Sequence, residues 1–547
     1  MPRPAHRNEW PASALCSGAH RVSIGALKAA LALVVLACSA TPQAGQISAE
    51  LERVMASRGT HADTSVIVRF DDALDLRPFT VADRSARNNA LLIALQQRQA
   101  QHRVRLEPLL AALDAAMVKD LWMVNAMAAT VPAFAVRQLA AAPGVARIEL
   151  DSFVQGGRSQ RTPAPRVWRS EASGAAALAS LPPSWPTSSG PAPDARLSTA
   201  LSTGTALAPP TSWNLAAVQA TKLWSLGHAG QGVVVAVMDT GVDLAHPDLR
   251  GSWRGGANSW FDVHGEEALP HDALGHGTQA LGVIVGAHGI GAAPAARWIA
   301  VRLYDSAGRA HMSDIHLAFQ WLLDPDGDPA TIDAPDVVNA SWTLSGRVPG
   351  ACTLEFADDI GALRSAGIVV TLAAGNDGPS PGTSSSPANN PGALSVGAVD
   401  REWAIARQSS RGPSSCDGSA FPRVLAPGVG VRTTDLSHGG QASYTQASGT
   451  SLAAPHAAGV LALLAGAFPH ASVAELEDAL AQGADQRTAP GDGSRPGHGL
   501  IDALAAFNLL HARLDLNAAA DADTGAGAGA GTSTKTTMQI EANAHRH

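Results

Sequence analysis

The stretch Ala447-Ser448-Gly449-Thr450-Ser451-Leu452-Ala453-Ala454-Pro455-His456-Ala457-Ala458-Gly459-Val460 decides how this chain is read. A short turn, Gly449-Thr450, feeds into an apolar run that continues to Leu464, the pattern of a hydroxyl at the mouth of a buried helix. Gly449 lets the backbone turn sharply and lets another chain come close. The first N–H groups of a helix lack internal partners and lie at the positive end of its dipole. That setting suits a serine whose attack creates an oxyanion. A hydroxyl alone is a weak nucleophile, so the reading requires a base and a group to orient it. The plainer alternative is a core helix with a serine near its cap.

Three further stretches supply the missing parts. Gly232-Val-Val-Val-Ala-Val-Met238 is a continuous apolar run, as expected for a strand covered on both faces, and it ends in Asp239-Thr-Gly-Val-Asp243. A carboxylate at the carboxyl end of a central strand lies where open α/β sheets place their sites. Asp239 is the candidate orienter; Asp243 and Asp248 read as turn formers. Gly275-His276-Gly277-Thr278 precedes Ala280, Leu281 and Ile284 at helical spacing, so His276 opens a helix between two glycines and is the candidate base. Gly367-Ile-Val-Val-Thr-Leu-Ala-Ala374 is a strand ending in Gly375-Asn376-Asp377-Gly378, where the Asn376 amide is placed to donate to an oxyanion.

Strand and helix signals alternate through the same region. Strands are predicted at Trp298–Leu303, Asp336–Trp342 and Ala393–Ala398. Helices are predicted from a Ser313 cap through Leu322, and along Phe356, Ile360 and Leu363. A capping box, Ser472-Val-Ala-Glu475, opens another helix, and a last one ends near Ala512. Alternation of this kind argues an α/β fold with a parallel, doubly wound sheet.

The four elements resemble the subtilisin-like serine proteases. Gly-Thr-Ser-Leu-Ala-Ala-Pro-His matches the family's nucleophile motif with Leu452 for Met; Asp-Thr-Gly, His-Gly-Thr and Ala-Ala-Gly-Asn match the other three. Gln279 stands where a second His is common, and Thr343 where Gly is common. The run from Trp321 to Asp328, with Asn339-Ala-Ser-Trp342, Ser385-Ser-Pro-Ala-Asn389 and Ser409-Ser-Arg-Gly-Pro413, is similar to the bacillopeptidase F-like branch. The resemblance implies a serine endopeptidase acting on protein or peptide substrates through Asp239, His276 and Ser451, with Asn376 in the oxyanion hole and no cofactor required. It also implies that Asn339–Trp342 pairs with substrate backbone and that Thr371–Gly375 border the pocket before the scissile bond. The order Asp, His, Ser differs from that of α/β-hydrolases, and Ala453 breaks their Gly-x-Ser-x-Gly pattern. A catalytically silent secreted binding protein on the same scaffold is the second reading.

The rest of the 547 residues divides around this domain, placed at 212–512. Residues 1–44 hold an apolar segment, 24–37, after Arg21, the layout of a secretory signal, so a secreted protein with no stable membrane span is expected. Cys38 adds a lipid-anchored or periplasmic alternative. Residues 45–155 read as a small α+β unit: strands at Ser65–Phe70, Leu121–Val124 and Val145–Leu150, a helix over Arg84–Leu113 and another at Phe134–Leu139. In the resembled family this is an inhibitory propeptide, a partner carried in the same chain. Residues 156–211 read as a Ser/Pro/Ala-rich linker and processing region, and 513–547 as a low-complexity tail. With a formal charge of −8 and no long basic run, nothing points to nucleic acid, and no nucleic-acid partner is expected. Cys352 and Cys416 are left to pair after export. Asp324-Pro-Asp-Gly-Asp-Pro329 with Asp333 is read as an acidic turn; structural calcium there is the weaker alternative.

Overall fold

Val and Ala dominate β8 (Val234–Asp239), and five of its six residues are buried. Its side chains alternate between two cores: Val235 and Val237 join one apolar cluster, Ala236 and Met238 the other. The computed structural model describes residues 45–513, apart from 73, 76–78, 80–83, 157–159, 162–211, 345–349 and 487–496. The predicted signal segment, most of the linker and the tail therefore lie outside the described residues.

Around β8 runs a seven-stranded sheet in the order β15-β14-β13-β12-β8-β10-β9. Its members are β9 (Trp260–Asp262), β10 (Arg297–Arg302), β12 (Val337–Ala340), β13 (Val369–Ala373), β14 (Leu394–Val399) and β15 (Val424–Pro427). All six pairings are parallel, so the α/β, doubly wound class holds. Numbering helices along the whole chain, α7 (His276–Val285) and α10 (Thr450–Ala467) contribute to the first core. The second core takes α8 (Met312–Leu323) and α9 (Ala357–Ser365). Helix α10 is long and apolar enough to cross a membrane by composition, but 83% of it is buried in the protein. It is a core helix, apolar all round because it is covered all round.

One local expectation changes here, and the expected pairing of Cys352 with Cys416 is present. His311, not Ser313, precedes the first turn of α8, and Asp314 Oδ2 accepts from its N–H at 3.1 Å. Ser313 instead donates its N–H and hydroxyl to Asp151. The helix begins earlier than the serine suggests because that serine has a partner from a distant segment. Cys352 and Cys416 are bonded, with Cα atoms 4.9 Å apart and 64 residues between them in sequence. Closing a loop of that length is worth about 4 kcal/mol in the chain-entropy account.

The N-terminal unit has its own sheet, β1-β5-β2-β4-β3. Its strands are β1 (Gln46–Ile47), β2 (Asp63–Phe70), β3 (Ala116–Leu121), β4 (Ala126–Pro132) and β5 (Val145–Leu150). The helices are α1 (Ala49–Arg58), α2 (Arg84–Ala112) and α3 (Ala135–Ala140). The strand expected at Leu121–Val124 is mostly a 3₁₀ turn, Trp122–Val124, between β3 and β4. Met123 and Val124 are apolar because they are buried against the large domain, where Gln320 Oε1 accepts from Met123 N at 3.2 Å.

That unit sits on α8 and α9. Lys119 Nζ lies 2.6 Å from Asp314 Oδ1, and Arg69 bridges Glu149 of its own unit and Glu355 before α9. Leu91, Leu92, Leu95 and Leu121 share a continuous apolar core with Ile315, Phe319 and Ile360. Beyond β5 the chain extends this grip: β6 (Phe153–Gln155) pairs antiparallel with β11 (Arg309–His311). Within the region read as linker, β7 (Gln160–Arg161) pairs antiparallel with β17 (Gln441–Ser448), the strand that runs into Gly449-Thr450-Ser451.

Candidate active site

Asp239, His276, Asn376 and Ser451 all lie at the carboxyl ends of sheet strands or at the helix starts beside them. Asp239 closes β8, 1% exposed. Its Oδ1 accepts from Thr240 N at 2.7 Å and from His276 Nδ1 at 2.7 Å. His276 opens α7, and the glycines around it are structural necessities. Gly275 has φ 88°, and a Cβ on Gly277 would stand 2.1 Å from the Gly241 carbonyl oxygen. Only glycine lets the helix start press against the loop after β8. With Nδ1–H committed to the carboxylate, Nε2 keeps the lone pair a base requires. Burial pulls the imidazole pKa down; the charge and hydrogen bond of Asp239, with the charge of Asp272, outweigh it and hold the pKa above the ordinary 6.5.

Ser451 is the second residue of α10, so its N–H is among those with no intrahelical partner. Its carbonyl accepts from Ser341 Oγ at 2.9 Å, and Asn339 Nδ2 donates to the same Ser341 oxygen. Asn376 Oδ1 accepts from Thr450 N at 3.0 Å and from Thr450 Oγ1 at 3.2 Å. Those bonds fix the amide flip, and a Cβ added to Gly449 would stand 3.0 Å from Ser451 Oγ and 3.5 Å from Asn376 Nδ2, so glycine keeps open the space that both groups border. No hydrogen bond joins His276 Nε2 to Ser451 Oγ among the described residues. Catalytic hydrogen bonds of this kind often close only when substrate binds. Replacing Asn376 with alanine is expected to lower kcat about 10²–10³-fold with little change in KM, a magnitude carried over from a subtilisin asparagine in this role.

The other motif residues are structural. His456 donates Nδ1–H to Leu452 O at 2.8 Å and accepts from Asn214 at Nε2, 2.7 Å away; burial pushes it down to about 4, so it stays neutral. Asp243 accepts from Ser437 N, while Asp248 holds Tyr444 and His288. Among the described residues, the acidic group with metal-ligand spacing is Asp324, Asp326 and Asp333. Burial and the neighbouring carboxylates raise Asp324 to about 6. Calcium takes six to eight oxygens, and outer oxygens here already accept from Asn258 and Thr331. None of the residues that position Ser451 belongs to this cluster.

One positioning residue escaped the sequence. Asp272 is 4% exposed and accepts five hydrogen bonds: from Thr240 Oγ1, Leu274 N and Gly275 N at Oδ1, and from Thr278 N and Oγ1 at Oδ2. It ties the loop after β8 to the first turn of α7 and so sets where Asp239 meets His276. Burial raises its pKa against those bonds. The available signal was an acidic residue four positions before the histidine, ahead of an apolar helix.

A buried carboxylate–imidazole pair, a serine at a helix N-terminus and an asparagine amide at one edge of a parallel sheet define a class, that of the serine endopeptidases built like subtilisin. The chain belongs to the Subtilase family, whose family model matches residues 230–499. It is similar to Bacillopeptidase F of Bacillus subtilis, 37% identical over 324 residues, which are 54% of this chain and 22% of that protein. The match thus spans about a fifth of that relative's length. Subtilisin E of Bacillus subtilis is 36% identical over 300 residues, covering 54% of this chain and 70% of the relative. Subtilisin of Bacillus pumilus is 35% identical over 300 residues, covering 54% of this chain and 98% of the relative. In fold the chain is similar to fervidolysin from Fervidobacterium pennivorans, described as a keratinolytic enzyme related to subtilisin. The TM-score is 0.56 with 21% identity, over 82% of this chain and 62% of that one.

Proposed function

We propose that the chain is a secreted serine endopeptidase that cuts peptide bonds through an acyl-enzyme, with no cofactor in the chemistry. The observation that carries this is the 2.7 Å Asp239–His276 hydrogen bond at the sheet edge where the Ser451 helix begins. His276 Nε2 takes the Ser451 proton as Oγ attacks the substrate carbonyl, and Asp239 stabilises the imidazolium. Asn376 Nδ2 and the Ser451 N–H receive the oxyanion. The imidazolium then protonates the leaving amine, and water releases the acyl group. Export is supported by the Cys352–Cys416 bond and the apolar segment at 24–37.

The N-terminal unit reads as an intramolecular inhibitor. Its support is the salt-bridged, apolar seat on α8 and α9 and the strand pairings on both sides of the site: β6 with β11, and β7 beside Ser448. The bond processed on maturation then lies after Gly156 and before Arg161. A fluorophosphonate probe applied to the secreted mature protein is expected to attach to Ser451 in stoichiometric amount, as located by peptide mass spectrometry. A folded mature protein that takes up no label would instead be a binding protein on this scaffold.

A further inference from the structure

Tyr304 is one of only two tyrosines in the chain. It lies two residues beyond β10, the strand adjacent to the one that ends in Asp239, and it is 2% exposed. Its hydroxyl is buried without a hydrogen-bond partner among the described residues, so the ring is held by packing alone. Against that ring lies Gly156, itself buried. Gly156 N donates to Gly308 O at 2.7 Å, continuing the ladder in which Val154 faces Ala310. A Cβ added to Gly156 would stand 3.1, 3.1 and 3.2 Å from three atoms of the Tyr304 ring. That is several tenths of an ångström inside ordinary contact, and the ring is enclosed in the core shared by β8, β10 and α8. The backbone of Gly156 is not in the left-handed region that favours glycine. Glycine fits here because of room, not because of backbone conformation.

We infer that Tyr304 makes the cleft selective for glycine at the substrate residue whose N–H is received by Gly308 O. This selectivity rests on the proposed protease function, in which β6 and Gly156 lie where a substrate strand lies. An alanine at that position must displace a buried aromatic ring, and a leucine must displace it further. The specificity is steric, so shortening residue 304 relaxes it.

The test uses mature enzyme and peptides that reproduce residues 153–160, with glycine, alanine or leucine at the position of Gly156. The wild-type kcat/KM is expected to fall roughly 10-fold for alanine and 100-fold for leucine, the range that overpacking of a filled site produces. In Tyr304→Leu the three values are expected to converge. The wild-type comparison stands without that variant, should it fold poorly. Equal wild-type rates for glycine and alanine overturn the assignment, as does a preference for leucine. Loss of all turnover together with loss of fluorophosphonate labelling at Ser451 overturns the protease reading instead.

Discussion

Ser451→Ala is expected to lower kcat about 10⁶-fold, a size carried over from removal of the nucleophilic serine in a subtilisin. The residual rate comes from binding and the oxyanion donors, which the substitution leaves in place. The change removes one oxygen from a side chain that is 7% exposed, so the fold is expected to survive. The same variant is expected to accumulate as the unprocessed chain, its N-terminal unit still attached. Wild-type protein is expected to show a new N-terminus between Gly156 and Arg161. Intact-mass measurement of both secreted products, beside a peptide-hydrolysis assay, reads both effects. Retained turnover, or a processed Ser451→Ala product made in the absence of other proteases, would place the nucleophile elsewhere.

Asp239→Asn is expected to cost about 10⁴-fold in kcat, because the amide no longer stabilises the imidazolium and favours the wrong tautomer. It carries a second, independent signature in pH. The base must be neutral to act, so activity rises as pH rises through the pKa of His276. Burial lowers that pKa, and Asp239 with Asp272 holds it above 6.5. Removing the Asp239 charge leaves burial with less opposition, so the acid limb of the pH–rate profile is expected to move to lower pH as the plateau falls. Profiles of kcat/KM for the two proteins check both. A drop in rate with an unmoved or upward-moved limb would mean that Asp239 does not set the charge of His276.

The candidate site was legible because each of its residues sits in a short run whose composition is dictated locally. Glycines flank His276 because a helix start presses on a loop, and an unbroken Val/Ala run precedes Asp239 because both faces of β8 are covered. What stayed hidden depends on distant partners. Asp272 reads as one more loop acid until Thr240 and Thr278 are brought to it. Tyr304 reads as the residue after a strand until Gly156 is brought to it. The hairpin of β16 (Val431–His438) and β17 gave no strand signal, since β16 buries polar Thr433 and Thr434 where apolar residues would mark a strand, and the buried position of β17 is Ala447. The alanine-rich β4 was missed for the opposite reason: it is almost fully buried, yet alanine carries no strand preference.

The attachment of the N-terminal unit to the domain it covers has a kinetic consequence. On the inhibitory reading proposed above, the N-terminal unit of a continuous chain blocks the site at the high effective concentration of a tethered ligand, independent of how dilute the protein is. Once the tether is cut, occupancy falls under ordinary mass action. The onset of activity after export would then follow dilution into the surroundings and destruction of the freed segment, not the cut itself.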